Sequence, residues 1–263
     1  MSSYSTLLFD IKDGIAKITL NRPDAANGMD MTMGRELMDV ALRCDQDETI
    51  RVVVLTGSGN FFSAGGDLRA FASYGDAISE RIHVLTIYLH AAISRFTRMR
   101  VPVIVAVNGV AAGAGFSLAM AVDFILASES AKFTMAYTAA GLSPDGGASY
   151  FLPRLVGLRR AQELMISNRR LTAEEAQDWG LVTRVCARDG LMAEVQDLAL
   201  QLADSATQAI GPVKKLLAVS YDNGLEAQMA LEGQAIAHLA SCCDGQEGIQ
   251  AFLAKRPPVF TGK

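Results

Sequence analysis

The chain opens on an alternation of apolar and polar positions. Leu7, Phe9 and Ile11 share one face, Asp13-Gly14 supplies a turn, and Ala16, Ile18 and Leu20 resume the alternation. This predicts a β-hairpin that Asn21-Arg22-Pro23 ends. From Met31 to Cys44 the apolar residues move to helical spacing, and Val52 to Leu55 form an unbroken apolar run, the mark of a strand buried on both faces. A glycine-rich stretch, Thr56 to Gly59 and then Phe61 to Asp67, leads into a helical segment that ends near Arg100. The unit then recurs. Val103 to Val107 reads as a buried strand, Asn108 to Ala112 as a turn, Gly113 to Val122 as a helix of small residues, and Phe124 to Ala127 as another strand.

Strands alternating with helices imply the α/β class, a largely parallel sheet with helices outside it. From Arg159 onward the pattern is almost entirely helical. Thr172 with Glu175, and Asp244 with Glu247, have the spacing of a capping box and place two helix starts. The change of architecture falls near residues 190–200. It divides the chain into a core over residues 1–195 and a helical module over 196–263, with no long linker between them.

Composition narrows the class. Half of the 263 residues are apolar and a fifth are charged, the balance of a globular protein. A net charge of −4 with no basic stripe argues against nucleic acid as a main partner. Cys44, Cys186, Cys242 and Cys243 form no CxxC pair and no zinc spacing, and read as reduced thiols. The stretch MSSYSTLLFDIKDG lacks a basic region followed by an apolar one, so a cytoplasmic protein is expected. Val101 to Val122 runs for 22 residues without a charge, long enough for a membrane helix. Pro102, Asn108, Gly109, Gly113 and Gly115 interrupt it, and a buried strand, a turn and a buried helix explain it better; no membrane partner is expected.

Two loops share a physical character. In FFSAGGDL (Phe61 to Leu68) and NGVAAGAGFSLA (Asn108 to Ala119) a buried strand ends, small residues follow, and a helix begins with free backbone N–H groups. Small residues admit a ligand close to the main chain, and a helix N-terminus favours negative charge. Together the loops could hold an oxyanion; separately, each is equally a tight packing joint. Gly113-Ala114-Gly115 opens a GxG pattern, but Leu118 stands where the third glycine of a dinucleotide site belongs. Ser63 and Ser117 lack a GxSxG frame, and His83, His90 and His238 are the only histidines, which gives a hydrolase triad little support. In a third loop, Gly141 to Gly147, Asp145 lies between a proline and two glycines, as a turn former, a helix cap or a reactive acid.

These motifs, with GLSPDGGASYFLPRLVG, LTAEEAQDWGLV and the tail GIQAFLAKRPPVF, resemble the crotonase (enoyl-CoA hydratase/isomerase) superfamily in order and spacing over nearly the whole chain. Within it they are closest to the single-aspartate isomerases of phenylacetyl-CoA epoxide and of enoyl-CoA. The resemblance implies the spiral ββα fold, a C-terminal trimerisation module, a trimer or dimer of trimers, and an acyl-CoA thioester as substrate. It implies that the backbone amides of Ala64 and Ala114 form an oxyanion hole, with Ala114 standing where many members have glycine. It also places Ala26, Gly66, Asp67, Leu68, Gly113 and Leu142 along the CoA and substrate path, and Phe252 and Lys255 near the nucleotide end, with a core aromatic and a solvated lysine as the plain alternative. Residues Ala70 to Leu89 are expected to form the variable acyl wall.

Hydratases of the superfamily use two glutamates. The matching positions here hold Ser117 and Tyr137, neither of which can act as a carboxylate. Asp145 is left as the acid, and one carboxylate is sufficient for a 1,3-proton shift with no metal or redox cofactor. An apolar pocket around it is expected from Phe133, Met135, Leu142 and Phe151. The alternatives are a hydratase, a 4-chlorobenzoyl-CoA dehalogenase-like hydrolase, in which His90 matches the base and Tyr137 replaces an orienting tryptophan, and a non-catalytic acyl-CoA- or RNA-binding protein. The acidic balance argues against RNA, and the retained Asp145 against an inactive enzyme.

Overall fold

A computed structural model describes residues 4–262; Met1 to Ser3 and Lys263, the outermost positions of the two expected regions and of the N-terminal stretch, lie outside the described residues. The hairpin forms as the alternation predicts, with β1 (Leu7–Lys12) antiparallel to β2 (Ile15–Leu20). Helix α1 (Met31–Gln46) follows, capped by Asp30, whose side chain accepts from the Met33 N–H. Next come β3 (Val52–Gly57), β4 (Phe61–Ser63), α2 (Leu68–Ala72) and α3 (Ile78–Arg98). The repeat is β5 (Val103–Val107), β6 (Val110–Ala112) and α4 (Ala114–Met120), then β7 (Phe124–Ser128) and β8 (Lys132–Thr134).

Each turn of this spiral lays one strand into each of two sheets. A six-stranded sheet has the order β1-β2-β3-β5-β7, completed by β10 (Arg184–Cys186), and is parallel from β2 onward. A four-stranded sheet has the order β4-β6-β8, completed by β9 (Leu171–Thr172). The expected turn at Asn108 to Ala112 is therefore in part a strand, β6. Its three residues are too few to show a period in the sequence.

Period-two burial accounts for the large sheet. Val53 and Leu55 of β3, with Val103, Val105 and Val107 of β5, join the central core, while Val52, Val54, Ile104 and Ala106 face the opposite side. The uncharged run from Val101 to Val122 resolves into β5, β6 and α4, all largely buried. Among the described residues no helix is long and apolar enough to cross a membrane.

Helices α5 (Ala148–Val156), α6 (Leu158–Ser167) and α7 (Ala173–Asp178) pack around the small sheet, and the capping box of Thr172 and Glu175 is formed. Helix α8 (Leu191–Ala203) lays Leu191, Val195 and Ala199 on the second face of the large sheet. The boundary expected at residues 195 and 196 thus cuts a helix that belongs to the core. It shows as a change of composition only because α8 is the last helix to cover a sheet. Beyond it lie α9 (Thr207–Val219), α10 (Leu225–Ser241) and α11 (Cys243–Leu253). The second expected capping box does not form: Asp244 accepts from the Thr261 and Gly262 N–H groups, and Glu247 pairs with Arg256, so both acids tie down the tail.

Candidate active site

Three loops converge on one cavity of about 260 Å³. The first is fastened on both sides by the segment after the hairpin. Ala64 N–H donates to the Ala26 carbonyl (2.9 Å), Met29 N–H to Gly65 O (2.7 Å) and Asp67 N–H to Met29 O (3.1 Å). Such a parallel bridge engages the amides on either side of Gly66 and leaves the Gly66 N–H without a protein partner among the described residues. This corrects the expectation at Ala64: its amide is already used, and the free donor on this loop is Gly66, two residues on.

Asn27 organises the segment. Fully buried, it donates to Ser58 O and Phe61 O and accepts from Arg22 N–H. The sequence analysis missed it, although Asn27-Gly28 is a turn dipeptide that could have marked it. Ala26 does not line the cavity; it serves through its carbonyl. Asp67 also stands outside it, capping α2 through the Arg69 and Ala70 amides and pairing with Arg22 at 2.9 Å. Burial pushes the Asp67 carboxyl up, but the Ala70 amide and the Arg22 guanidinium outweigh it and hold the group below the usual carboxylate range.

The second loop ends in Gly113, whose φ of +49° only glycine adopts readily. Its N–H donates to Thr134 O, and the next amide, Ala114, is the first free donor of α4. Gly115 lets this turn lie on the first loop, because a Cβ there would come within 2.6 Å of Ser63. Gly66 and Ala114 consequently line the same cavity.

The third loop carries Asp145, whose side chain is 26% exposed. Tyr137 Oη donates to Asp145 Oδ1 at 2.6 Å, and Ser117 Oγ lies 2.8 Å from the same phenol oxygen. Ser117 and Tyr137 therefore form one hydrogen-bonded chain onto Asp145. Burial, then the neighbouring Asp145 charge, pushes the Tyr137 hydroxyl well above the usual phenol range, so it remains a donor. His90 Nε2 accepts from Gly146 N–H at 3.1 Å and stands 3.7 Å from Asp145 Oδ2.

Leu68, Gly113 and Leu142 line the cavity, and Phe71, Ile82, Leu85, Thr86 and Leu89 supply a wall from the Ala70 to Leu89 stretch. Of the four residues expected around Asp145 only Leu142 is there. Phe133 is packed on Phe116 at 5.3 Å between centroids, Met135 is in the core, and Phe151 stacks against Tyr150. Strand alternation turns Phe133 and Met135 inward, away from the cavity. Phe252 is 83% exposed and Lys255 is exposed, and neither lines the cavity.

Two backbone donors from adjoining loops, one carboxylate and an apolar wall meet in one cavity of this α/β protein, a set able to stabilise negative charge on a bound oxygen. The enoyl-CoA hydratase/isomerase family model matches residues 10–263, and this chain belongs to that family. It is 38% identical over 259 residues to the 1,2-epoxyphenylacetyl-CoA isomerase of Escherichia coli, covering 98% of each chain. It is 37% identical to the carnitinyl-CoA dehydratase of Citrobacter koseri, covering 95% of each. An enoyl-CoA hydratase/isomerase structure from Cupriavidus metallidurans superposes with a TM-score of 0.90 at 37% identity, over 100% of this chain and 98% of that one.

Proposed function

We propose that the protein is an acyl-CoA isomerase that moves a double bond, or opens or rearranges an epoxide, in an enoyl-CoA-type thioester through an enolate. The observation that carries this reading is the cavity's chemistry: among the described residues lining it, Asp145 is the sole acid. The thioester oxygen would accept from the Gly66 and Ala114 amides. Asp145 removes a proton from C2, the electron pair delocalises onto that oxygen, and the same carboxyl returns the proton at C4 as the double bond moves to C2–C3. Each well-aimed donor stabilises the enolate by about 3 kcal/mol.

Water addition by two carboxylates lacks its second acid, since Ser117 and Tyr137 occupy the glutamate positions. For a dehalogenase-like reaction His90 would have to activate water, and its Nε2 lone pair is directed to Gly146 N–H. The exposed apolar residues of the C-terminal helices, among them Ile236, Leu253 and Phe252, support a homotrimer or dimer of trimers in which Phe252 and Lys255 reach a neighbour's CoA.

The test uses wild-type and Asp145→Ala protein with 3-enoyl-, 2-enoyl- and 4-chlorobenzoyl-CoA. Conversion of the 3-enoyl to the 2-enoyl thioester, abolished in the variant, is expected. Hydration that survives Asp145→Ala, or chloride release, overturns the assignment.

A further inference from the structure

Gly34 lies inside α1, where glycine is about 1 kcal/mol worse than alanine. The reason for it is on α3. A Cβ at Gly34 would stand 2.5 Å from Leu85 Cδ1, with Tyr88 Cβ next at 3.6 Å. Leu85 is buried between the two helices, and its other side lines the cavity. Ile82 and Leu89, one turn away in each direction, line it too.

That wall also has a definite polarity. Thr86 gives its hydroxyl hydrogen to the His83 carbonyl at 2.8 Å and so has none to donate to a ligand. Tyr137 Oη is engaged by Asp145 and Ser117. Among the described residues no lysine, arginine or histidine lines the cavity. A charged acyl tail would meet no opposite charge there, the polar side chains on the lining being Ser143, Thr86, Tyr137 and Asp145.

We infer that Gly34, a residue outside the cavity, sets through Leu85 the length of the acyl group the site accepts, and that this group is uncharged. The inference rests on the acyl-thioester reading above. A methyl at Gly34 drives the Leu85 terminus into the free volume beside it, which is the cavity, and removes about one carbon's length of room. Gly34 is in this sense a positioning residue.

The experiment measures dissociation constants by calorimetry for CoA itself and for butyryl-, hexanoyl-, octanoyl-, phenylacetyl- and succinyl-CoA, so that no turnover is needed. Gly34→Ala is expected to lower the affinity for the longest bound acyl group relative to butyryl-CoA on the order of tenfold, leaving CoA itself unchanged. Leu85→Val in the Gly34→Ala background restores the ratio. Succinyl-CoA binds more weakly than hexanoyl-CoA. A ratio unmoved by Gly34→Ala, or a uniform loss at every length, overturns the inference and leaves the acyl-CoA reading intact. If Gly34→Ala does not fold, Leu85→Ala alone must favour the longer groups, and its failure to do so is equally decisive. Should no acyl-CoA bind the wild type, both readings fall together.

Discussion

Tyr137 gives its hydroxyl hydrogen to Asp145 Oδ1 at 2.6 Å, so its 2.8 Å contact with Ser117 Oγ is a hydrogen bond with Ser117 as donor, in competition with the Gly113 carbonyl 3.3 Å from the same hydroxyl. Burial and the Asp145 charge keep the phenol protonated, so the polarity does not reverse near neutral pH. The carboxylate is thus held by one oxygen while the other is left for substrate.

Tyr137→Phe removes that hold without changing the shape of the ring. A hydrogen bond to a charged group contributes about 1.5–3 kcal/mol, so kcat should fall on the order of tenfold or more with KM little changed. Steady-state isomerisation of a 3-enoyl-CoA measures it. Ser117→Ala, one step further out, should have a smaller effect.

Ala114→Pro deletes a single amide hydrogen at the first position of α4, where proline is best tolerated. Loss of one oxyanion donor predicts a fall in kcat of roughly a hundredfold or more. Circular dichroism should show the fold intact, and a rate close to wild type would exclude the Ala114 amide from the reaction.

Acid should loosen the first loop through Asp67. Its folded pKa is depressed, so its contribution is present above the unfolded value of about 3.9 and is lost as pH falls through the lower folded value. Asp67→Asn keeps a capping side chain but gives up the charge opposite Arg22, and should lose about 1 kcal/mol at neutral pH. In urea titrations at descending pH the wild type and variant should converge.

Lys214 anchors α9 to the core: its Nζ reaches Asp123 Oδ2 at 2.7 Å and the Phe96 and Val101 carbonyls at 3.1 Å. Burial lowers the lysine's pKa and raises the aspartate's, so desolvation outweighs the attraction within the pair. Lys214→Ala strands the acid and should lose about 3 kcal/mol in urea unfolding. The double change Lys214→Met with Asp123→Leu should recover part of it.

Much of this molecule was legible in the chain. The hairpin, α1, β3, β5 and β7 follow from alternation, helical spacing and apolar runs, because each buries a periodic face by itself. Asp145 and the second loop were legible as motifs. The short strands β4, β6, β8 and β9 were not, since two or three residues carry no period. The Ala64 expectation failed because sequence order cannot tell which amides of a loop face its neighbours. That choice is made by the bridge between Met29 and Gly66.

By itself the sequence determined the alternation of strands and helices and an acidic charge balance with no basic stripe, and its family resemblance pointed to Ser117 and Tyr137 as the residues at the two glutamate positions. Only the tertiary structure decided which backbone donors are free, that Ser117, Tyr137 and Asp145 form one chain, and that Gly34 and Leu85 meet behind the acyl wall. Local propensity and patterning act over a few residues. Ser117 and Tyr137 are 20 positions apart and Gly34 and Leu85 are 51 apart, and distance in space is set by packing.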